Sequence, residues 1–185
     1  MSERDMGEAT PYTDAARARL VTAYDACVLA DLARAAVPVG ARELNGDGTT
    51  CAPGAVLADA ARVLAAARRF FDSAAVFERL GGADWQLIGD VLGVSAQAAR
   101  ARFAMAEAGF REDLLPAGGT GCTEAGEASE AGCLRAHMAR EPLETALDLD
   151  EWVLRHQDGD GDLGTAPVSG GLARADPVRD AGKRS

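Results

Sequence analysis

Gln97 and Arg100 stand in a stretch, Ser95 to Met105, that carries two arginines and no acid. On a helix, residues three apart share a face, and each of these two ends in a two-pronged hydrogen-bonding group. The Gln carboxamide suits the N6/N7 edge of adenine and the Arg fork the O6/N7 edge of guanine. The Ser95 hydroxyl and Arg102 suit phosphate oxygens. Ala96 and Ala101 complete the surface expected to meet DNA. The chemistry offered is recognition of base edges in a major groove.

No other spacing supports a reaction or a metal. Asp158, Asp160 and Asp162 alternate like the start of a calcium loop, but Leu163 occupies the turn-glycine position and Ser169 the place of the bidentate Glu. Cys122, Cys133, His137 and His156 are too irregularly spaced for a zinc set. There is no nucleophile elbow and no phosphate-binding Gly-Lys loop. No enzymatic activity, cofactor or metal is expected.

Two helices must position the reading groups. Trp85, Leu87, Ile88, Val91 and Leu92 have the apolar spacing of a short helix. Gly93 turns the chain where φ is positive, and Val94 is expected to plug the corner. Ser95 then caps a second helix. Ala98, Ala99 and Phe103 face inward on it, while Gln97, Arg100 and Ala101 face away. Gly89, which costs up to ~1 kcal/mol against Ala inside a helix, implies that the second helix passes too closely for a side chain.

The wording W-x-x-I-G-x-x-L-G-V-S-x-Q-A-A-x-x-R-F over Trp85–Phe103 resembles the helix-turn-helix of small actinobacterial DNA-binding proteins, related in pattern to region 4 of sigma factors. The resemblance extends from Arg42–Asn45 through Leu57–Arg69 to about Leu115, and a Pro-Val-Ser-Gly-Gly-Leu segment at Pro167–Leu172 is also similar. It implies a DNA-binding domain that reads with the helix after Ser95. One position departs from the pattern: Ala96 stands where such proteins usually carry a cation, so one phosphate or base contact is lost.

The chain of 185 residues has a net charge of −10, against the trend for a nucleic-acid partner. The charge is unevenly placed. Residues 1–61 hold five Lys/Arg and nine Asp/Glu, residues 114–185 seven and thirteen, and residues 62–113 seven of each. A neutral middle with a locally basic helix favours weak binding as a monomer. A homodimer is therefore expected, with Met105, Phe110 and Leu114 near the two-fold interface, assisted by Trp152. Alternatively these residues close the monomer's own core against Leu20 and Tyr24.

Apolar residues make up 48% of the chain but aromatics only 5%, an Ala-rich balance that favours close-packed helices. The expected fold is all-α, a trihelical helix-turn-helix domain with an additional N-terminal helix and an appended C-terminal helix. Residues 1–12 read as disordered. The helical domain spans 13–115 and contains the helix-turn-helix at 84–103. Thr13 caps a first helix from Asp14 to about Ala36, with Leu20, Tyr24, Cys27, Val28 and Leu32 on its apolar stripe. A loop with Asn-Gly and Asp-Gly turns follows, although a hairpin is an alternative there. Pro53 suits the first turn of a long helix ending at Leu80 before Gly81-Gly82. Residues 116–132 read as a flexible linker, 133–157 as a C-terminal helical segment docking on the same body, and 158–185 as a disordered acidic tail.

No run of apolar residues is long enough to span a membrane, and the N-terminus lacks the apolar core of an export signal. With four widely spaced cysteines, a cytoplasmic protein is expected. The functional expectation is a sequence-specific transcriptional regulator of double-stranded DNA. The alternative is an acidic protein-interaction adaptor that keeps the helix-turn-helix as scaffold and docks on a sigma factor or another DNA-binding protein, with the C-terminal helix as a contact surface.

Overall fold

The computed structural model describes residues 12–37, 40–114, 134–135, 137–139, 141–157 and 163–172. They form an all-α architecture: α1 Asp14–Ala35, α2 Ala55–Leu80, α3 Trp85–Leu92, α4 Ala96–Asp113 and α5 Pro142–His156, with one-turn 3-10 helices at Ala41–Glu43 and Ser169–Gly171. Among the described residues no strand forms, and no helix is long and apolar enough to cross a membrane.

Thr13 starts α1 as expected, its hydroxyl oxygen accepting the Ala16 N–H at 3.2 Å. Asp14 in the first turn and Arg34 in the last complement the helix dipole. α1 and α2 pack lengthwise as the most extensive helix pair. Ala18 and Val21 of α1 share a cavity wall with Asp72 and Val76 of α2, so the start of one helix meets the end of the other.

The segment between them is a loop pinned by side chains. The Asn45 amide donates to the Thr49 hydroxyl at 2.9 Å, and the Asp47 carboxylate accepts the Thr49 N–H at 2.9 Å. A single antiparallel bridge, Leu44 to Thr50, is all that develops of the hairpin alternative.

The start of α2 corrects an expectation. Pro53 lies before the helix, because Gly54 adopts φ +94° and the Ala55 N–H bonds back to the Ala52 carbonyl at 3.1 Å. Pro-Gly at the centre of such a turn is the type II composition, which here wins over a proline-led first turn. The end of α2 follows the reading: Gly82 has φ +106°, Gly82 N–H reaches Arg79 C=O and Ala83 N–H reaches Glu78 C=O. Those paired bonds are a Schellman closure. The buried residues of α2 are Ala66, Ala75 and Val76, whereas Leu57 in its first turn is 74% exposed.

Two apolar clusters result. Phe103, Ala99, Ile88 and Ala75 gather α2, α3 and α4, with Phe71 set edge-on to Phe103 at a centroid distance of 5.3 Å. Leu20, Ala146, Leu149 and Val168 gather α1, α5 and the segment after it. The C-terminal helix therefore docks on α1, and the Trp152 indole N–H donates to Asp31 at 3.2 Å.

The tail requires a second correction. Part of it, around Val168 and Ser169, is packed: Asp150, itself buried, accepts the Val168 N–H at 2.6 Å and the Ser169 N–H at 3.0 Å, and the Ser169 hydroxyl bonds its other oxygen. Arg19 of α1 donates to the Val168 carbonyl. A composition of Gly, Ser and Asp suggested a solvated tail, but one buried carboxylate collects its backbone donors. The linker at 116–132, residues 1–11, Cys122, Cys133 and the Asp158–Asp162 run lie outside the described residues.

Candidate nucleic-acid interface

The α3–α4 pair is fixed by local chemistry at each joint. Asp84 caps α3, its carboxylate accepting the Leu87 N–H at 2.8 Å. Gly93 takes φ +67° and ψ 30°, and the Gly93 and Val94 N–H groups bond back to Asp90 and Gly89 carbonyls. Ser95 then caps α4 by accepting the Ala98 N–H at 3.1 Å.

Gly89 behaves as its position inside a helix implied. A Cβ there would lie 2.7 Å from the Val94 carbonyl oxygen and 3.1 Å from the Ala96 nitrogen. No side chain fits, so the turn and the first residue of α4 rest directly on the α3 backbone. Val94 does not plug the corner: its side chain is 44% exposed, and its carbonyl makes the close approach.

On α4, Ala99 and Phe103 are each 1% exposed and face the core, whereas Ala98, expected beside them, is exposed. Gln97, Arg100 and Ala101 are exposed on one side of the helix. Neither Gln97 nor Arg100 has a hydrogen-bond or ion-pair partner among the described residues. Ala96 is half-buried against Gly89, and Ser95 is exposed with its oxygen engaged in the cap.

Arg102 is separated from this group. It lies roughly 140° around the helix from Gln97 at 3.6 residues per turn. Its guanidinium sits 4.7 Å from the Phe71 ring centre and 5.2 Å from that of Phe103. It stays exposed while covering the edge of the aromatic cluster, its charge over the ring faces.

No protein-family profile, curated protein or solved structure matches this chain.

One bracing residue had no signal in the sequence. Arg79, near the end of α2, stacks over Trp85 at 4.5 Å, donates to the Ala83 carbonyl and bonds Glu107 of α4 at 3.3 Å. Glu107 also takes Arg111 at 3.0 Å, a pairing visible in the four-residue spacing. Partial burial pushes the Glu107 carboxyl up, but the hydrogen bonds and charges of Arg111 and Arg79 outweigh it, leaving the group below the usual range. The outer face of α4 is therefore held from its N-terminal cap to its third turn.

The first turn of α4 contains no acid. Its free N–H groups and partial positive charge add to Arg100, giving the exposed end an attraction for anions that the net charge of the chain conceals. On α2, Arg68 is exposed, while Arg69 lines a cavity between α1, α2 and α4.

Proposed function

We propose that this chain is a cytoplasmic, sequence-specific DNA-binding transcriptional regulator, of the helix-turn-helix type found in small actinobacterial proteins, that seats α4 in the major groove. The observation that carries the reading is the pair Gln97 and Arg100: unpartnered, side by side, and mounted on a helix whose position is set by backbone contact at Gly89. A reading helix needs that rigidity, because a bidentate base contact tolerates little displacement. Ser95 and the first-turn N–H groups serve a phosphate, and Ala101 lies close to the groove wall.

One such helix neutralises few phosphates, so the working form is a homodimer on a site with two-fold symmetry. Of the residues expected at its interface, Met105 is 80% exposed and available. Phe110 and Leu114 are half-buried, Phe110 at the α1–α2–α4 cavity, and Trp152 is half-buried with its indole N–H on Asp31 of the same protomer.

Selection of genomic fragments by the purified protein, at low and moderate salt, tests the proposal. Recovery of a sequence with half-sites one helical turn apart is the expected result. A second reading, the acidic adaptor, is favoured by exposed Leu143, Leu147 and Leu154, which leave an apolar strip on α5 beside the surface docked on α1. No fragment recovered at low salt, together with stable complex formation with a sigma factor, would establish the adaptor instead.

A further inference from the structure

We propose that the α2–α3 side of the molecule is an interface with a second copy of this chain, the two copies pairing antiparallel along α2. Leu57, Ala60, Leu64, Ala67, Phe71 and Ala74 recur at alternating steps of three and four residues. That spacing draws one apolar seam along a helix and calls for a helix against it.

The chain itself covers only part of the seam. At 1.5 Å per residue the 26 residues of α2 extend about 39 Å and the eight of α3 about 12 Å. Phe71 packs into the cluster that α3 and α4 share, and Ala74 lines an apolar groove of about 300 Å³ between α2 and α3. Leu87 and Val91 form the α3 wall of that groove, each more than half exposed. The first half of the seam is left bare: Leu57 and Leu64 are each more than half exposed, and Ala60 is exposed between them.

Two features fit a second copy in particular. The bare ridge and the open groove lie end to end on the same helix. Turning one copy over against another therefore sets each ridge at the other's groove, a closed two-fold contact made of one patch used twice. The charges suit the same pairing. Arg68 follows Leu64 by four residues, and Glu78 follows Ala74 by four and lines the groove. Both are exposed, and neither side chain has a hydrogen-bond or ion-pair partner among the described residues. An antiparallel copy brings Arg68 toward the partner's Glu78 twice over, whereas a parallel one sets Arg68 beside the partner's Arg68.

Gln97 and Arg100 lie outside this face, so each copy keeps the outer side of α4 free. Use of the pair on a two-fold DNA site rests on the proposed DNA-binding function, whereas assembly is measured without DNA. The test is sedimentation equilibrium of the full chain alone, under reducing conditions because Cys51 is a free, exposed thiol.

The mass should rise from monomer to dimer over the micromolar range and stop there. Leu64→Asp should hold the chain as a monomer across the same range, with helical content and thermal midpoint unchanged because the position is exposed. Met105→Asp, at an exposed position of α4 outside the seam, should leave the dimer intact. Arg68→Glu should weaken association about ten-fold by setting a like charge against the partner's Glu78, and adding Glu78→Arg should restore it. A monomer at every concentration, which leaves the seam to a different protein, would overturn the proposal. So would undiminished assembly of folded Leu64→Asp, or a double charge reversal that associates no more tightly than Arg68→Glu alone.

Discussion

The cluster around Phe103 and the cluster around Leu20 are both assembled from helices rich in alanine, yet they are joined by different means. In the first, α3 and α4 follow each other directly, and capping side chains, a left-handed Gly93 and the bare backbone of Gly89 determine their meeting. In the second, α5 and residues 163–172 reach α1 across long stretches of chain, and their seating depends on Asp150, Arg19 and Trp152 finding partners far away in sequence. Local joints make a rigid unit; distant polar clasps make one that can open separately from the rest.

Truncation of Phe103 should expose this contrast most strongly. Phe103→Ala empties the centre of the first cluster and should cost about 3–5 kcal/mol, read as a lowered urea midpoint for the whole α2–α4 unit. An effect confined to a few tenths of a kcal/mol would mean that the three helices do not share a core.

The two glycines of this unit sharpen the same point. Gly89→Ala drives a methyl group into the Val94 carbonyl and should destabilise by about 1–3 kcal/mol despite the better helix former. Gly109→Ala meets open space and should stabilise by up to ~1 kcal/mol. Thermal unfolding of both variants should therefore shift in opposite directions. Equal shifts would remove the close approach from the account.

Asp150 carries the clearest pH signature. Desolvation raises its carboxyl, but the Ser169 hydroxyl, the Val168 and Ser169 N–H groups and the charge of Arg19 outweigh it and hold the group below the ordinary Asp value. The stabilisation is complete above an ordinary Asp value of about 3.9 and is lost as pH falls through the lower folded value. Asp25 runs the other way: desolvation raises it, so its contribution is present below that ordinary value and lost as pH rises through the folded one. Asp150→Asn should loosen residues 163–172 by about 1–2 kcal/mol, seen as faster hydrogen exchange at the Val168 amide with the α3–α4 amides unchanged. Uniform loss of protection across the chain would contradict a separable clasp.

The same contrast governs what could be read from the residues in order. Thr13, Gly89, Gly93 and Ser95 act within a few positions of themselves, so their types announced the caps, the turn and the close approach. Pro53 misled because it has two good uses, and the Gly after it selected the turn. Arg102 was assigned to phosphate from its charge, whereas its position around α4 brings its guanidinium over the Phe71 and Phe103 rings. Arg79 and Asp150 could not be picked out, because nothing near them in sequence names Trp85, Glu107 or Ser169 as partners. The outer face of α4 was legible for a different reason: helical periodicity separates Gln97, Arg100 and Ala101 from Ala99 and Phe103 without any knowledge of distant contacts.

The central claim is that Gln97 and Arg100 read base edges. Replacing both with Ala, on the fragment recovered by the wild-type protein, should cost about 1–3 kcal/mol of discrimination for each pair lost. Binding should fall toward that for unrelated DNA at the same salt, while helical content and thermal midpoint stay as in the parent. A folded double variant that still selects the same sequence with undiminished affinity would contradict the assignment of α4 as the reading helix.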